Sequence, residues 1–353
     1  MTEKIIHPCV WDVLSQTPLP IVLYGMGDGA DMVIDRLRES GRDFDDVFAS
    51  DAFVRGQSFR GKRVKTYAEI CERYGDFFIV MCFASRDKDT IDFVTAAARE
   101  HPLVAPDVPV ADKDVFTYDF IKEHDGEFDK AFSLLADERS RQNYIDILNF
   151  KISGRVDLLF KAQQDKAFVY DNILINGDDE AFVDLGAYDG DTVNEFVTAC
   201  NGKYRKIFAF EADEKNYSKL VKNTKGLKNT ELFNIAAWDK KETLLFEKRK
   251  GRSSKLSSSG NVSVQADRLD DIINEEISIL KMDIEGSEER AIAGSAGLIK
   301  KYRPKLYICA YHRNSDMFAL PLKINEICND YRFYFYHHMY IPAWESNFYG
   351  VVK

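Results

Sequence analysis

Three segments of this chain place carboxylates where apolar runs end, the first and third together with glycine: FVDLGAYDGDT (182–192), KIFAFEAD (206–213) and ISILKMDIEGSEE (277–289). In an open α/β sheet, ligands bind beyond the carboxyl ends of the strands, next to the turn after the first of them. A dinucleotide would set its pyrophosphate against the following helix N-terminus, where backbone N–H groups favour anions. Asp184, Asp189 and Asp191 surround that position in the first segment and would repel it. S-adenosylmethionine has no phosphate and carries a sulfonium and an ammonium group, both of which carboxylates attract. Glu211 ends the second segment, 27 positions after Asp184, where a strand-end carboxylate can accept hydrogen bonds from both ribose hydroxyls. An adenosyl cation is therefore the expected ligand.

The third segment carries the candidate chemistry. Lys281, Asp283 and Glu285 recur at a spacing of two and share one face while the chain stays extended. Methyl transfer to a hydroxyl needs an in-line approach and an acceptor for the hydroxyl proton. KLYICAYHR brings His312 just past the end of the next strand, and an ordinary imidazole titrates near neutrality. His312 is thus the expected base, with Asp283 or Glu285 as orienting partner or substitute; a purely local hydrogen-bonding role for His312 is the competing reading. Ser287, Glu288 and Glu289 are explained by the cap and dipole of the helix that follows. Asp283, Glu285 and the outlying Asp267 offer oxygen ligands for Mg²⁺, but spacing supports this weakly and no metal ligand is assigned.

The elements that must position these groups follow from periodicity. From 166 to 353 five strand-like runs alternate with helical patterns, followed by the aromatic strands YRFYFYHHMYI and SNFYGVV. The expectation is an α/β, doubly wound sheet closed by a C-terminal antiparallel hairpin. His337 and His338 fall on opposite faces of an aromatic strand and are read as strand residues. Residues 112–165 are helical and charged, a connector packed on both sides. Residues 1–111 repeat the alternation on a smaller scale, as a Rossmann-like domain. There GMGDGA fits G-x-G-x-x-A through Gly25, Gly27 and Ala30, with Asp51 about 20 residues beyond. Asp28 in that turn counts against a phosphate ligand. The stretch EKRKGRSSKLSSSGNVS (247–263) is basic and serine-rich, either a loop that closes on an anionic acceptor or a solvated connection.

FVDLGAYDGDT, FAFEAD, NIAAWD, ADRLDDI, LKMDIEGSE and RPKLYICAYH together resemble the FkbM-type methyltransferases, over about residues 165–353. The resemblance implies a class I methyltransferase fold, S-adenosylmethionine as methyl donor, and an oxygen acceptor, often on a sugar. Carried onto this sequence, the cofactor contacts are Asp184, Gly186, Tyr188, Asp189, Gly190 and Thr192 in the first loop. Glu211, Ala212, Ala236 and Asp283 complete the set. The family often has Glu-Pro where this chain has Glu211-Ala212, which leaves the ribose contact intact. The N-terminal stretch resembles, more loosely, front domains of bacterial sugar-modifying enzymes and is expected to bind a nucleotide-sugar or to dock a partner.

Composition bounds the alternatives. A chain of 353 residues with 45% hydrophobic and 30% charged residues suits two packed domains. A net charge of −10 argues against nucleic acid as a partner. No apolar run is long enough to span a bilayer and no signal-peptide core opens the chain, so a cytoplasmic protein is expected. Six scattered cysteines form no metal-binding pattern and are read as reduced. The expected partner is a sugar, nucleotide-sugar or lipid-linked glycan acceptor. Two rival functions are a non-catalytic nucleotide or nucleotide-sugar-binding protein, and an NAD-dependent sugar oxidoreductase using the N-terminal glycine turn.

Overall fold

The computed structural model describes residues 1–108, 111, 115–248, 254–256 and 262–352. The first part contains β1 (Ile21–Tyr24), β2 (Asp46–Phe48), a short hairpin of β3 (Ser58–Phe59) and β4 (Lys62–Arg63), β5 (Phe78–Met81) and β6 (Leu103–Val104). Strands β2-β1-β5-β6 form a parallel sheet in that order. All four residues of β1 and of β5 are buried, because helices cover both faces and leave no side for polar alternation. The helix Tyr67–Arg73 starts at a capping box, in which Thr66 and Glu69 satisfy each other's backbone N–H groups.

The second part contributes β7 (Ala181–Leu185), β8 (Lys206–Phe210), β9 (Thr230–Phe233), β10 (Ala236–Ala237), β11 (Glu242–Lys248), β12 (Ser254–Leu256), β13 (Val262–Asp267), β14 (Ile279–Met282), β15 (Lys305–Cys309), β16 (Tyr331–His337) and β17 (Ser346–Val352). The large sheet runs β16-β17-β15-β14-β7-β8-β9. Its five strands from β15 to β9 are parallel, and β17 enters antiparallel between β15 and β16. This is the doubly wound sheet with a C-terminal hairpin that periodicity predicts. Strand order reverses at the β7–β14 neighbours, so the loops after those two strands splay apart there and open a crevice.

One element departs from the sequence reading. The run ELFNIAAW breaks between β9 and β10, and β10 leaves the large sheet to pair with β13. A separate four-stranded sheet, β10-β13-β11-β12, results. The basic stretch at 247–263 therefore includes strand as well as connection: it spans the end of β11, all of β12 and the start of β13. Residues 249–253 and 257–261 of it lie outside the described residues.

The connector binds the two parts into one body. Ten of the sixteen residues of helix Glu138–Ser153 are buried. From it, Asn143 donates to the Phe335 carbonyl at 3.0 Å and Tyr144 to the Met317 carbonyl at 2.8 Å, both in the second part. Lys151 meets Asp107 of the first part at 2.5 Å in a buried ion pair. A continuous apolar core joins Val22 and Tyr24 through Phe128 and Tyr144 to Leu280 and Phe335. Ser85, just after β5, exchanges two backbone hydrogen bonds of 2.8 and 2.9 Å with Ile341 in the turn between β16 and β17. No helix among the described residues is long and apolar enough to cross a membrane.

Candidate active site

A cleft of about 480 Å³ opens over the carboxyl ends of β7, β8 and β14. Its floor is the turn after β7. Gly186 there has φ +79°, and a Cβ on it would lie 1.9 Å from the Asp283 carbonyl oxygen in the loop after β14. The two loops cross so closely that only glycine fits. Tyr188, at φ +48°, donates its backbone N–H to Glu211 at 2.9 Å, and Asp213 donates its own to the other carboxylate oxygen at 2.8 Å. Glu211 thus fastens the β7 turn to the end of β8 while its remaining lone pairs stay available. Burial pushes its carboxyl up to about 7, against the lowering effect of those two N–H donors.

Gly186, Tyr188, Thr192, Glu211, Ala212, Ala236, Asp283, Glu285 and His312, all expected at the site, line the cleft, as does Asp191. Three expected contacts do not. Asp184 is fully buried, points under the floor, and pairs with Lys281 at 2.8 Å. The pair follows from register, since Lys281 and Asp184 are direct partners across β14 and β7. Burial drives the Lys281 ammonium down, but Asp184 and Asp283 more than offset this and hold it charged. Asp189 instead offers its carbonyl to Asn223 at 2.8 Å. Gly190 is pressed on the helix Glu214–Asn223, where a Cβ would come 3.1 Å from Leu220. These three order the turn and do not face the cavity.

The acidic group at the other end is arranged differently from the sequence expectation. Strand β14 ends at Met282, so Asp283 and Glu285 lie in a sharp turn, with Glu285 at φ +56° and Gly286 at φ +90°. A left-handed conformation costs a side-chain-bearing residue about 1–2 kcal/mol, a strain found most often where function fixes a side chain. His312 is only 2% exposed. Its Nδ1 lies 3.0 Å from Glu288, and its Nε2 lies 3.3 Å from Asp283 and 3.9 Å from Glu285. Burial disfavours its charge, but Glu288, Asp283 and Glu285 outweigh that and raise it to about 10. These carboxylates hold His312 toward its imidazolium form, the opposite of what a neutral base requires. Asp283 is the converse: burial would raise it, while Lys281, His312 and the Tyr311 hydroxyl at 3.0 Å bring it below the usual carboxylate range. Glu285 is raised by burial, with His312 opposing, and its side chain is 47% exposed toward the cleft.

Glu288 was assigned only to the helix dipole. It is 1% exposed, accepts the Ile284 N–H at 2.9 Å and holds His312 in place. Ser287 makes no side-chain cap bond, contrary to the sequence reading. Asp283, Glu288 and His312 also lie close enough to share a cation. Both ring nitrogens of His312 already face carboxylates, so the ring's positive charge offsets part of the cluster's negative charge. The outlying Asp267 does not join it; it lies 3.4 Å from Lys241 and is not part of the cleft lining.

Gly25 and Gly29 have a packing explanation, whereas a Cβ on Gly27, at φ +117°, would meet nothing within 4 Å. A Cβ on Gly25 would lie 2.4 Å from the Phe83 ring, and one on Gly29 would lie 2.2 Å from the Cys82 carbonyl oxygen. Tyr24 stacks on Phe48 at 4.7 Å and meets Phe83 edge-on at 4.8 Å over the same strand ends. Gly27 opens the helix Asp28–Glu39, Ala30 is buried in it, and Asp51 is exposed in a following turn. None of Gly25, Gly27, Ala30 or Asp51 reaches the cleft. His337 is the last residue of β16, while His338 lies just past the strand end, contrary to the sequence reading; they are bonded to Ser346 and the Tyr340 carbonyl and to the Gln164 carbonyl and Tyr349, respectively. Sequence reading missed Arg86, Lys166, Tyr311, Tyr340 and Trp344, which line the cleft from distant segments and carry no local motif.

Residues 184–340 match the family model described as the Methyltransferase FkbM domain. The fold is similar to the crystal structure of Methyltransferase FkbM from Methylobacillus flagellatus KT, at TM-score 0.73 and 21% identity, covering 98% of this chain and 94% of that one. Aeropyrum pernix fibrillarin in complex with S-adenosyl-L-methionine gives TM-score 0.35 and 11% identity, covering 52% of this chain and 73% of that one. An rRNA methylase from Streptococcus thermophilus gives TM-score 0.35 and 15% identity, over 53% of this chain and 92% of that one. No curated protein matches the chain.

Proposed function

We propose, because residues 184–340 match the Methyltransferase FkbM domain model, that this protein transfers a methyl group from S-adenosylmethionine to a hydroxyl of a sugar or glycan precursor. The observation that carries the reading is the union of Glu211 and the Asp283–Glu285 turn in one cleft of adenosyl-ligand size.

The donor set fits that cofactor. Glu211 retains lone pairs for ribose hydroxyls, Ile235, Ala236 and Leu244 give an apolar wall for a purine, and Asp191 and Asp283 supply negative charge for its cationic end. When bound, S-adenosylmethionine supplies an electrophilic methyl group. Asp283, kept ionised by Lys281 and His312, orients the acceptor hydroxyl. Glu285, raised toward neutrality and partly exposed, accepts its proton. His312 acts through these two as a fixed positive charge. The aromatic and apolar walls restrict water, which strengthens each electrostatic contact.

The test is calorimetric binding of S-adenosylmethionine and S-adenosylhomocysteine, followed by S-adenosylhomocysteine release with a panel of hexoses, uronic acids, sugar phosphates and nucleotide-sugars. Micromolar cofactor binding with acceptor-dependent release supports the reading. Cofactor binding with no release across the panel would favour a non-catalytic sensor, and nicotinamide reduction with a sugar would favour the oxidoreductase.

A further inference from the structure

One wall of the cleft belongs to the N-terminal part. Arg86 lines the cavity together with Tyr340 and Trp344 from the turn between β16 and β17. Its backbone is fixed on both sides. Ser85 is held to Ile341 by the two hydrogen bonds described above, and Asp87 caps the helix Lys88–Glu100 through its bond to the Thr90 N–H at 3.0 Å. Arg86 therefore has a defined origin and a free, exposed head group.

Charge pairing distinguishes it from the other cations at the cleft. Lys281 is matched by Asp184, His312 by Glu288 and Asp283, and Lys166 by Glu345 at 3.3 Å and Glu195 at 3.7 Å. Arg86 makes no ion pair or side-chain hydrogen bond among the described residues. Next to it, Tyr340 and Trp344 lie ring to ring at 5.8 Å and 30°. The buried indole Nε1–H of Trp344 has no acceptor among the described residues. A guanidinium and an aromatic pair line the same cavity as the acidic residues Glu211, Asp283 and Glu285.

We infer that Arg86 is a specificity-determining residue that reads an anionic group, a carboxylate or a phosphoryl oxygen, on the sugar acceptor. The N-terminal part thereby serves as the acceptor-recognition wall of the methyltransferase site. This rests on the methyl-transfer reading for the word acceptor, but the binding chemistry stands without turnover. A planar guanidinium pairs with either anion in two-point fashion, and the aromatic pair offers its faces to the sugar ring.

The experiment measures binding to the full chain saturated with S-adenosylhomocysteine, using glucuronic acid, glucose 1-phosphate and neutral glucose. Wild type should bind at least one charged probe about tenfold or more tightly than glucose. Arg86→Gln should remove that preference while leaving the Kd for S-adenosylhomocysteine within about twofold, and Arg86→Lys should restore part of it. Whether the carboxylate or the phosphate is preferred identifies the source of the anion. Equal or undetectable binding of all three probes by wild type overturns the inference, as does an unchanged preference in Arg86→Gln. Discriminating binding without methyl transfer to any acceptor would instead overturn the proposed activity alone.

Discussion

Replacing His312 with Gln separates the imidazolium role from that of a general base. In the unfolded chain the group titrates near its ordinary 6.5, and in the folded protein near 10. At about 1.4 kcal/mol per tenfold change in proton affinity, the cluster stabilises the fold by up to about 5 kcal/mol. That agrees with the roughly 3–5 kcal/mol lost when one member of a buried ion pair is removed. Because the folded value is raised, the contribution is complete below pH 6.5, declines as pH rises, and is lost near pH 10. At pH 7.5 about 3–4 kcal/mol remains, by the same slope. The groups facing the ring are Glu288, Asp283 and Glu285, with Asp316 nearby, whose carboxyl burial and Glu288 push up to about 8. Urea unfolding at pH 7.5 should place His312→Gln about 3–4 kcal/mol below wild type. NMR of ¹⁵N-histidine-labelled protein should show both His312 nitrogens protonated from pH 6 to 8.5. A His312 ring that titrates between pH 6 and 8, or a His312→Gln variant within about 1 kcal/mol of wild type at pH 7.5, would refute the reasoning.

Other consequences are independent of that one. Glu285→Gln should lower kcat by about 10²- to 10⁴-fold in an S-adenosylhomocysteine-release assay, with cofactor Kd within about twofold of wild type; unchanged kcat removes Glu285 as proton acceptor. Glu211, raised to about 7 by burial, must ionise to serve ribose hydroxyls well, so cofactor affinity should strengthen as pH rises through 7. Glu211→Gln should flatten this dependence and weaken binding about 10- to 100-fold, measured by calorimetry at pH 6 and 8. Gly186→Ala places a methyl 1.9 Å from the Asp283 carbonyl oxygen at a positive φ, and should destabilise the protein by more than about 2 kcal/mol in urea while impairing cofactor binding. Near-wild-type stability would show that the two loops can separate.

Much of this protein is written locally. Buried strands β7, β8, β14 and β15 are mainly apolar runs of four or five residues, the same signal that marks β1 and β5. The acid at the end of β8 follows from the same logic, and Glu211 stands in the cleft as its spacing predicts. Asp184 shows where local reading ends. Its sequence context is that of a ligand-binding acid, but cross-strand register puts Lys281 beside it, and burial turns the two into a structural pair. His312 likewise looks like a base in isolation; three carboxylates from a loop and helix more than twenty residues away fix its charge. Arg86 has no motif at all, and the Ser85–Ile341 bridge helps to hold it at the site. Sequence alone determined which segments become strands and which loops hold glycine and acid, since those depend on backbone conformation and hydrophobic periodicity. Tertiary structure decided which carboxylates face ligand and which face lysine, because charge state and solvation depend on neighbours that the chain brings together only when folded.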